Sequence, residues 1–228
     1  MADGNTKRRP FNTDLPVRAL SAFVMLIVAA GAVWLGGAWF DGFVLVLAIA
    51  ALAEFARLVW RAHANTAWRL TGSAFGLFYI GLAAGTLIEL PLDVVVGIIA
   101  IVIATDTGAY FSGRTIGGPK IAPRISPSKT WAGLLGGMTA ASLVSFGFFY
   151  SNVGDRAFSW TGFTALLTGA LLAVVAQAGD FLESWLKRRA DMKDSSQLIP
   201  GHGGVLDRID GLIPVAIVAG LLWYQVHP

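Results

Sequence analysis

The chain has 228 residues, 55% hydrophobic and only 14% charged, against roughly 25% charged in an average soluble domain. That balance argues for a membrane setting, and the length suits one domain. The sequence has no cysteine, which excludes disulfides, thiolate metal sites and cysteine nucleophiles. Its net charge of +3 does not point to nucleic acid, because the bases lie at the ends of apolar runs rather than on one aromatic-laced surface.

Residues 1–16 are polar, carry Lys7, Arg8 and Arg9, and read as a cytoplasmic tail. The first apolar run, 17–35, is long enough to span a hydrocarbon core of ~30 Å. Ala30, Gly31 and Ala32 resemble a signal cleavage site, but further apolar runs follow closely and would hold the chain in the bilayer, so the run is read as an uncleaved helix. Runs at 40–60, 69–90, 92–113, 130–150, 160–182 and 209–226 follow. The expected fold is an all-α, polytopic integral membrane helical bundle of about seven transmembrane helices, forming a single membrane domain over 1–228. Gly36, Gly37 and Pro91 punctuate the runs, and Trp34, Trp39, Trp60, Trp68, Trp160 and Trp223 lie near span ends as interfacial anchors.

With the N-terminus cytoplasmic, all of the 17 Lys and Arg except Arg156 fall on the inner side. This positive-inside bias puts the loops 114–129 and 183–208 in the cytoplasm. Within the spans, Gly133, Gly136, Gly137, Ala140 and Ala141 read as close helix packing. Glu54, with Arg57 and Arg61, reads as a helix end at the interface.

Asp106 is different, because it sits inside the fourth run. An ionised group at the centre of a membrane helix costs at least ~2.5–3.5 kcal/mol, and less nearer the end. Tyr110 follows at i+4, and Gly108, Ala109 and Gly113 would let a ligand or another backbone approach. The next loop carries Lys120, Arg124, Ser126 and Lys129 among glycines and prolines and ends where a helix begins at Thr130. Exposed N–H groups, cations and a helix N-terminus suit a polyphosphate. The loop is not a Walker A sequence, since Pro119 stands where the lysine belongs.

The stretch over 177–210, QAGDFLESWLKRRADMKDSSQLIPGHGGVLDRID, is the most charged part of the chain. On a helix Asp180, Glu183, Ser184 and Lys187 share one face. Asp207 and Asp210 follow a turn containing His202, Gly203 and Gly204. Carboxylates converging at about 5 Å repel by roughly 3 kcal/mol per pair at an effective dielectric of ~20, so something cationic is expected among them. A set of oxygens without a second histidine at ligand spacing disfavours zinc and suits Mg²⁺. Basic loop, acidic loop and membrane together suggest phosphoryl or nucleotidyl transfer to a lipid.

Ser184 to Arg188, Lys193 with Asp194, and PGHGGVLDRID over 200–210 resemble the signature of the phosphatidate cytidylyltransferases, the CDP-diacylglycerol synthases. DTGAY over 106–110 and SPSKTW over 126–131 resemble the same family in the same order. The resemblance covers roughly 104–210, which would be the catalytic core. It departs at Ala132, where members often carry Glu or Gln, and many members are longer by about two N-terminal spans.

The resemblance implies transfer of CMP from CTP to phosphatidic acid, giving CDP-diacylglycerol and pyrophosphate, with Mg²⁺ and a second cation as an option. Asp180 and Asp207 are expected to hold the metal, with Asp210 or Glu183 as further acids. Lys187, Arg208 and Lys129 would offset phosphate charge, and Ser184 would hydrogen-bond a phosphate or a metal-bound water. Substrate contacts are expected from Lys120, Arg124, Ser126, Thr130, Asp106, Tyr110, Arg188, His202, Gly203 and Gly204. The resemblance also implies a homodimer in a bacterial-type inner membrane, with the site facing the cytoplasm and lipid entering sideways from the inner leaflet. Two rivals are a cytidylyltransferase for another lipid phosphate and a transporter. The transporter is disfavoured because no inverted repeat or paired broken helix is seen.

Overall fold

The computed structural model describes residues 15–226; the tail expected over 1–16 lies, up to residue 14, outside them. Helices α1 (Leu15–Leu35), α2 (Gly37–Ala62), α3 (Thr66–Glu89) and α4 (Leu92–Thr115) come first. A hairpin of β1 (Lys120–Ala122) and β2 (Ser126–Thr130) follows, then α5 (Trp131–Val153), α6 (Trp160–Arg189), the single turn α7 (Leu206–Ile209) and α8 (Leu212–Val226). Among the described residues six helices, α1 to α6, are long and apolar enough to cross a membrane.

The breaks between helices have local causes. Gly36, with φ of 62°, alone separates α1 from α2. Pro91 forces Leu90 into an extended conformation and ends α3. The Asn65 side chain caps α3 by accepting from Ala67 N–H at 2.8 Å, and Thr130 Oγ1 caps α5 by accepting from Gly133 N–H at 3.0 Å.

Three expectations are corrected. Helix α6 does not stop at residue 182 but continues to Arg189. Lys187, Arg188 and Arg189 in its last turn complement the negative end of the helix dipole, so the connecting loop begins at Ala190. The last apolar run is broken at Asp210 and Gly211, leaving α8 with 15 residues. The basic loop after α4 is not open throughout; its second half pairs as an antiparallel hairpin, with Lys120 opposite Thr130 and Ala122 opposite Ser126.

Small residues bring α4, α5 and α6 together. A side chain at Gly137 would lie 2.9 Å from Thr105 O on α4. Ser142 Oγ and Ser145 Oγ donate across to the carbonyls of Leu166 and Ala165 on α6, each at 2.8 Å. These are the contacts that hold membrane helices together where lipid offers no hydrophobic drive. The apolar core lies between α2, α3, α4, α6 and α8, with Val95, Ile98, Leu172 and Val215 in one cluster and Leu58, Ile80, Leu186 and Leu206 in another. Helix α1 stays at the edge, with Ala32 its buried residue.

Candidate active site

Glu54 is the first surprise. It is not a charge at a helix end in the interface but a buried anchor, 6% exposed, inside α2 and about two turns before its last residue, Ala62. Its carboxylate accepts from Val205 N–H at 3.1 Å, Leu206 N–H at 2.8 Å and Ser196 Oγ at 2.6 Å. Ser195 Oγ stands 2.9 Å from Glu54 Oε2 and 2.9 Å from Asp207 Oδ2, so its single proton serves one of them at a time. An acid buried in an apolar helix is stable only when its oxygens are satisfied in this way. Glu54 thereby fixes the loop between α6 and α7 onto α2. Gly204 is required here because a Cβ would run into both Ser195 Oγ and Glu54.

The loop so fixed carries Asp207 to the end of α6. Lys187 Nζ lies 2.6 Å from Glu183 Oε2 and 2.7 Å from Asp207 Oδ1. The other Asp207 oxygen accepts from Ser195 N–H at 2.9 Å and Gly204 N–H at 2.8 Å. Burial by itself would raise the Asp207 carboxyl, but the Lys187 ammonium and the Gly204 N–H bring it down to about 2. Asp180, about two turns before Lys187 on α6, pairs with Lys129 of β2, whose ammonium also stands 5.2 Å from the Phe181 ring centre. The repulsion expected among these acids is thus met in the chain itself by two lysines.

Asp180 and Lys129 border an open cavity of about 340 Å³ that also takes in Asp106, Tyr110, Thr130 and Gln177. Arg114 reaches back to donate to Tyr110 Oη at 3.1 Å. A second cavity, of about 430 Å³, opens along residues 199–203 and is also bordered by Arg18, Lys193 and Arg208. Arg208 donates to His202 O at 2.9 Å.

Of the residues expected at the site, Asp106, Tyr110, Lys129, Thr130 and Asp180 line the first cavity, while His202, Gly203 and Arg208 line the second. Gly204 and Lys187 line neither cavity, and Ser184 is half-buried on α6. Arg188 donates to Ile125 O at 3.3 Å, so it fastens the hairpin to α6. Ser126 is buried at the start of β2. Lys120 bonds Ser128 O at 3.4 Å, Arg124 is exposed at the hairpin turn, and neither lines a cavity. Sequence reasoning missed Glu54, Ser195, Gln177 and Arg18. The cost argument applied to Asp106 would have flagged Glu54, since it too sits inside an apolar run.

Among the described residues no group of three or more His, Asp or Glu side chains is arranged to hold a metal ion. The donor chemistry nonetheless fits a hard cation. Glu183 Oε1 is buried without a hydrogen-bond partner. Asp210, in the turn before α8, has its carboxyl pushed well above the ordinary range by burial and by the charges of Asp180 and Glu183. A cation would relieve both.

The fold and these side chains define a polytopic helical membrane protein with a polar site at one edge, built of carboxylates, lysines and a glycine-rich turn. A model described as the cytidylyltransferase family matches residues 59–225, and the chain belongs to that family. It is 47% identical over 149 residues to the phosphatidate cytidylyltransferase of Brucella suis biovar 1, covering 63% of this chain and 53% of that protein. It is 51% identical over 113 residues to the enzyme of the same name from Haemophilus influenzae, covering 48% of this chain and 38% of the other. With that of Rickettsia bellii it shares 34% identity over 212 residues, 90% of this chain and 88% of that one. The chain spans about half the length of the Brucella relatives it matches.

Proposed function

We propose that this chain is a phosphatidate cytidylyltransferase, moving CMP from CTP to phosphatidic acid at the cytoplasmic face of a bacterial inner membrane. The observation that carries the reading is the Lys187 bridge between Glu183 and Asp207, which joins the helix of Asp180, a residue of the first cavity, to the segment of Arg208, a residue of the second, in a chain of this family. Its N-terminus is cytoplasmic and α8 is the seventh crossing; assembly as a homodimer belongs to the same proposal.

In the reaction, an oxygen of the lipid phosphate bonds to the α-phosphorus of CTP as the bond from that phosphorus to its β-bridging oxygen breaks. The bonding electrons leave with pyrophosphate. A phosphate monoester, with its second pKa near 6, already carries a free anionic oxygen at neutral pH, so no general base is required. The protein's work is positioning and charge neutralisation.

Lys129, on exchanging Asp180 for a phosphate oxygen, would hold the lipid head group in the first cavity, with Thr130 at the N-terminus of α5 beside it. Asp106 and Tyr110 shape that cavity's wall. Lys187 keeps Glu183 and Asp207 in register, so that α6 and the glycine turn present their groups together. Mg²⁺ would be held by Asp180, Glu183 through Oε1 and Asp210, and would neutralise phosphate oxygens and the leaving group. Asp207 could join them only by giving up a bond to Lys187 or to the turn.

The test is purified chain in detergent with labelled CTP and phosphatidic acid. CDP-diacylglycerol and pyrophosphate should appear in equal amounts and only with Mg²⁺. Conversion of a polyprenyl phosphate in preference to phosphatidic acid would reject the substrate assignment.

A further inference from the structure

The second cavity differs in electrical character from the first. The first is bordered by Asp106 and Asp180 against Lys129 and Arg114, which balance. The second is bordered by Arg18, Lys193 and Arg208 against Asp194 alone, a surplus of two positive charges. Among the described residues none of those three cations is in an ion pair, whereas Lys129 and Lys187 both are.

One of the three comes from α1, which lies at the edge of the bundle. Its first turns are fastened to the glycine turn: Ser21 Oγ donates to Pro200 O at 2.9 Å and lies 2.8 Å from His202 Nδ1. Gly201, at φ of 76°, lets α1 come so near that a Cβ there would be 2.6 Å from Arg18 Cγ, a contact and a backbone conformation that only glycine accommodates. This attachment sets Arg18 on the rim of the cavity that Lys193 and Arg208 also border.

We propose that Arg18, Lys193 and Arg208 form a seat for a phosphate-chain anion, so that α1 is a working part of the site and not only a membrane anchor. Guanidinium groups match phosphate oxygens in pairs, and a mobile ammonium adds charge. The assignment deepens the nucleotidyl-transfer reading and rests on it for the ligand, which is the polyphosphate of the nucleotide or the lipid phosphate.

The experiment uses the full chain in detergent and inorganic pyrophosphate as probe, with KM measured separately for CTP and for phosphatidic acid. Arg18→Ala and Lys193→Ala should each weaken pyrophosphate binding by about tenfold or more, and Arg18→Lys should recover part of it. Lys193 is exposed on the loop, so its removal leaves the core untouched should Arg18→Ala fold poorly. A matching rise in KM for CTP assigns the seat to the nucleotide. A rise for phosphatidic acid alone, with pyrophosphate binding unchanged, assigns it to the lipid phosphate. Unchanged pyrophosphate binding together with unchanged KM for both substrates overturns the seat. Because pyrophosphate binding is read without turnover, a wild-type chain that binds it through Arg18 yet makes no product would keep the seat and reject the reaction.

Discussion

Lys187 Nζ lies 2.7 Å from Asp207 Oδ1, and this one bond joins the end of α6 to the turn that follows the glycines. The lysine side chain is only 15% exposed and also holds Glu183. Removing it leaves two carboxylates largely buried without a counter-charge. Lys187→Met should therefore lower stability by about 3–5 kcal/mol and abolish CDP-diacylglycerol formation, as read by thermal unfolding in detergent and by labelled CTP. Lys187→Arg should keep most of the stability and little of the activity, because a planar guanidinium cannot reproduce both contacts of a point charge.

Glu54→Gln presents an amide N–H₂ to donors that now face an oxygen. With Val205 N–H, Leu206 N–H and the two serines competing for one acceptor, the loss should be about 1–3 kcal/mol. Hydrogen exchange across 195–206 should rise at least tenfold, while the other helices of the bundle stay protected. Unchanged exchange there would show that the loop is held by something else.

Asp180→Asn should reduce turnover by about 100-fold or more, since loss of a cation ligand and of the Lys129 partner fall together. Added Mg²⁺ at high concentration should restore part of it, which a role confined to the Lys129 pair would not allow. Near-normal Mg²⁺-dependent conversion of labelled CTP in Asp180→Asn membranes would remove Asp180 from the mechanism.

The Asp207 carboxyl stands at about 2 in the folded chain against an ordinary 3.8. A depressed folded value contributes stability that is full above the ordinary value and is lost as pH falls through the lower one. Tryptophan fluorescence in detergent should show wild-type stability declining between about pH 4 and pH 2. Asp207→Asn should flatten that decline while starting from a lower plateau. An identical acid profile in the two proteins would mean the bond to Lys187 contributes nothing to folding.

The long apolar helices were legible because bilayer thickness imposes a minimum length that residues announce one after another. The end of α6 was not, because hydropathy stops at Leu182 whereas the helix runs on to Arg189, with Glu183 and Lys187 paired one turn apart. Helical spacing alone put Asp180, Glu183 and Lys187 on one face, and the structure keeps them together at the end of α6. Glu54 was misread since its partner Ser195 lies 141 residues away, and nothing local distinguishes a satisfied acid from one at an interface. The hairpin was missed for a similar reason: glycines and prolines hide a strand pairing only five residues long on its longer side. Arg18 looked like a flanking charge, and only the approach of α1 to Gly201 reveals its position.

Helix α8, at 15 residues, is about 22 Å long, some 8 Å short of the ~30 Å hydrocarbon layer. As the proposed seventh crossing, so brief a segment would make the leaflet sag beside it, since lipids thin to match a short hydrophobic length. The dip would fall at the end of α8 that Asp210 precedes, two residues before Leu212. Head groups diffusing past would slump toward the acids, and a phospholipid could meet its reaction partner without ever being lifted out of its own monolayer.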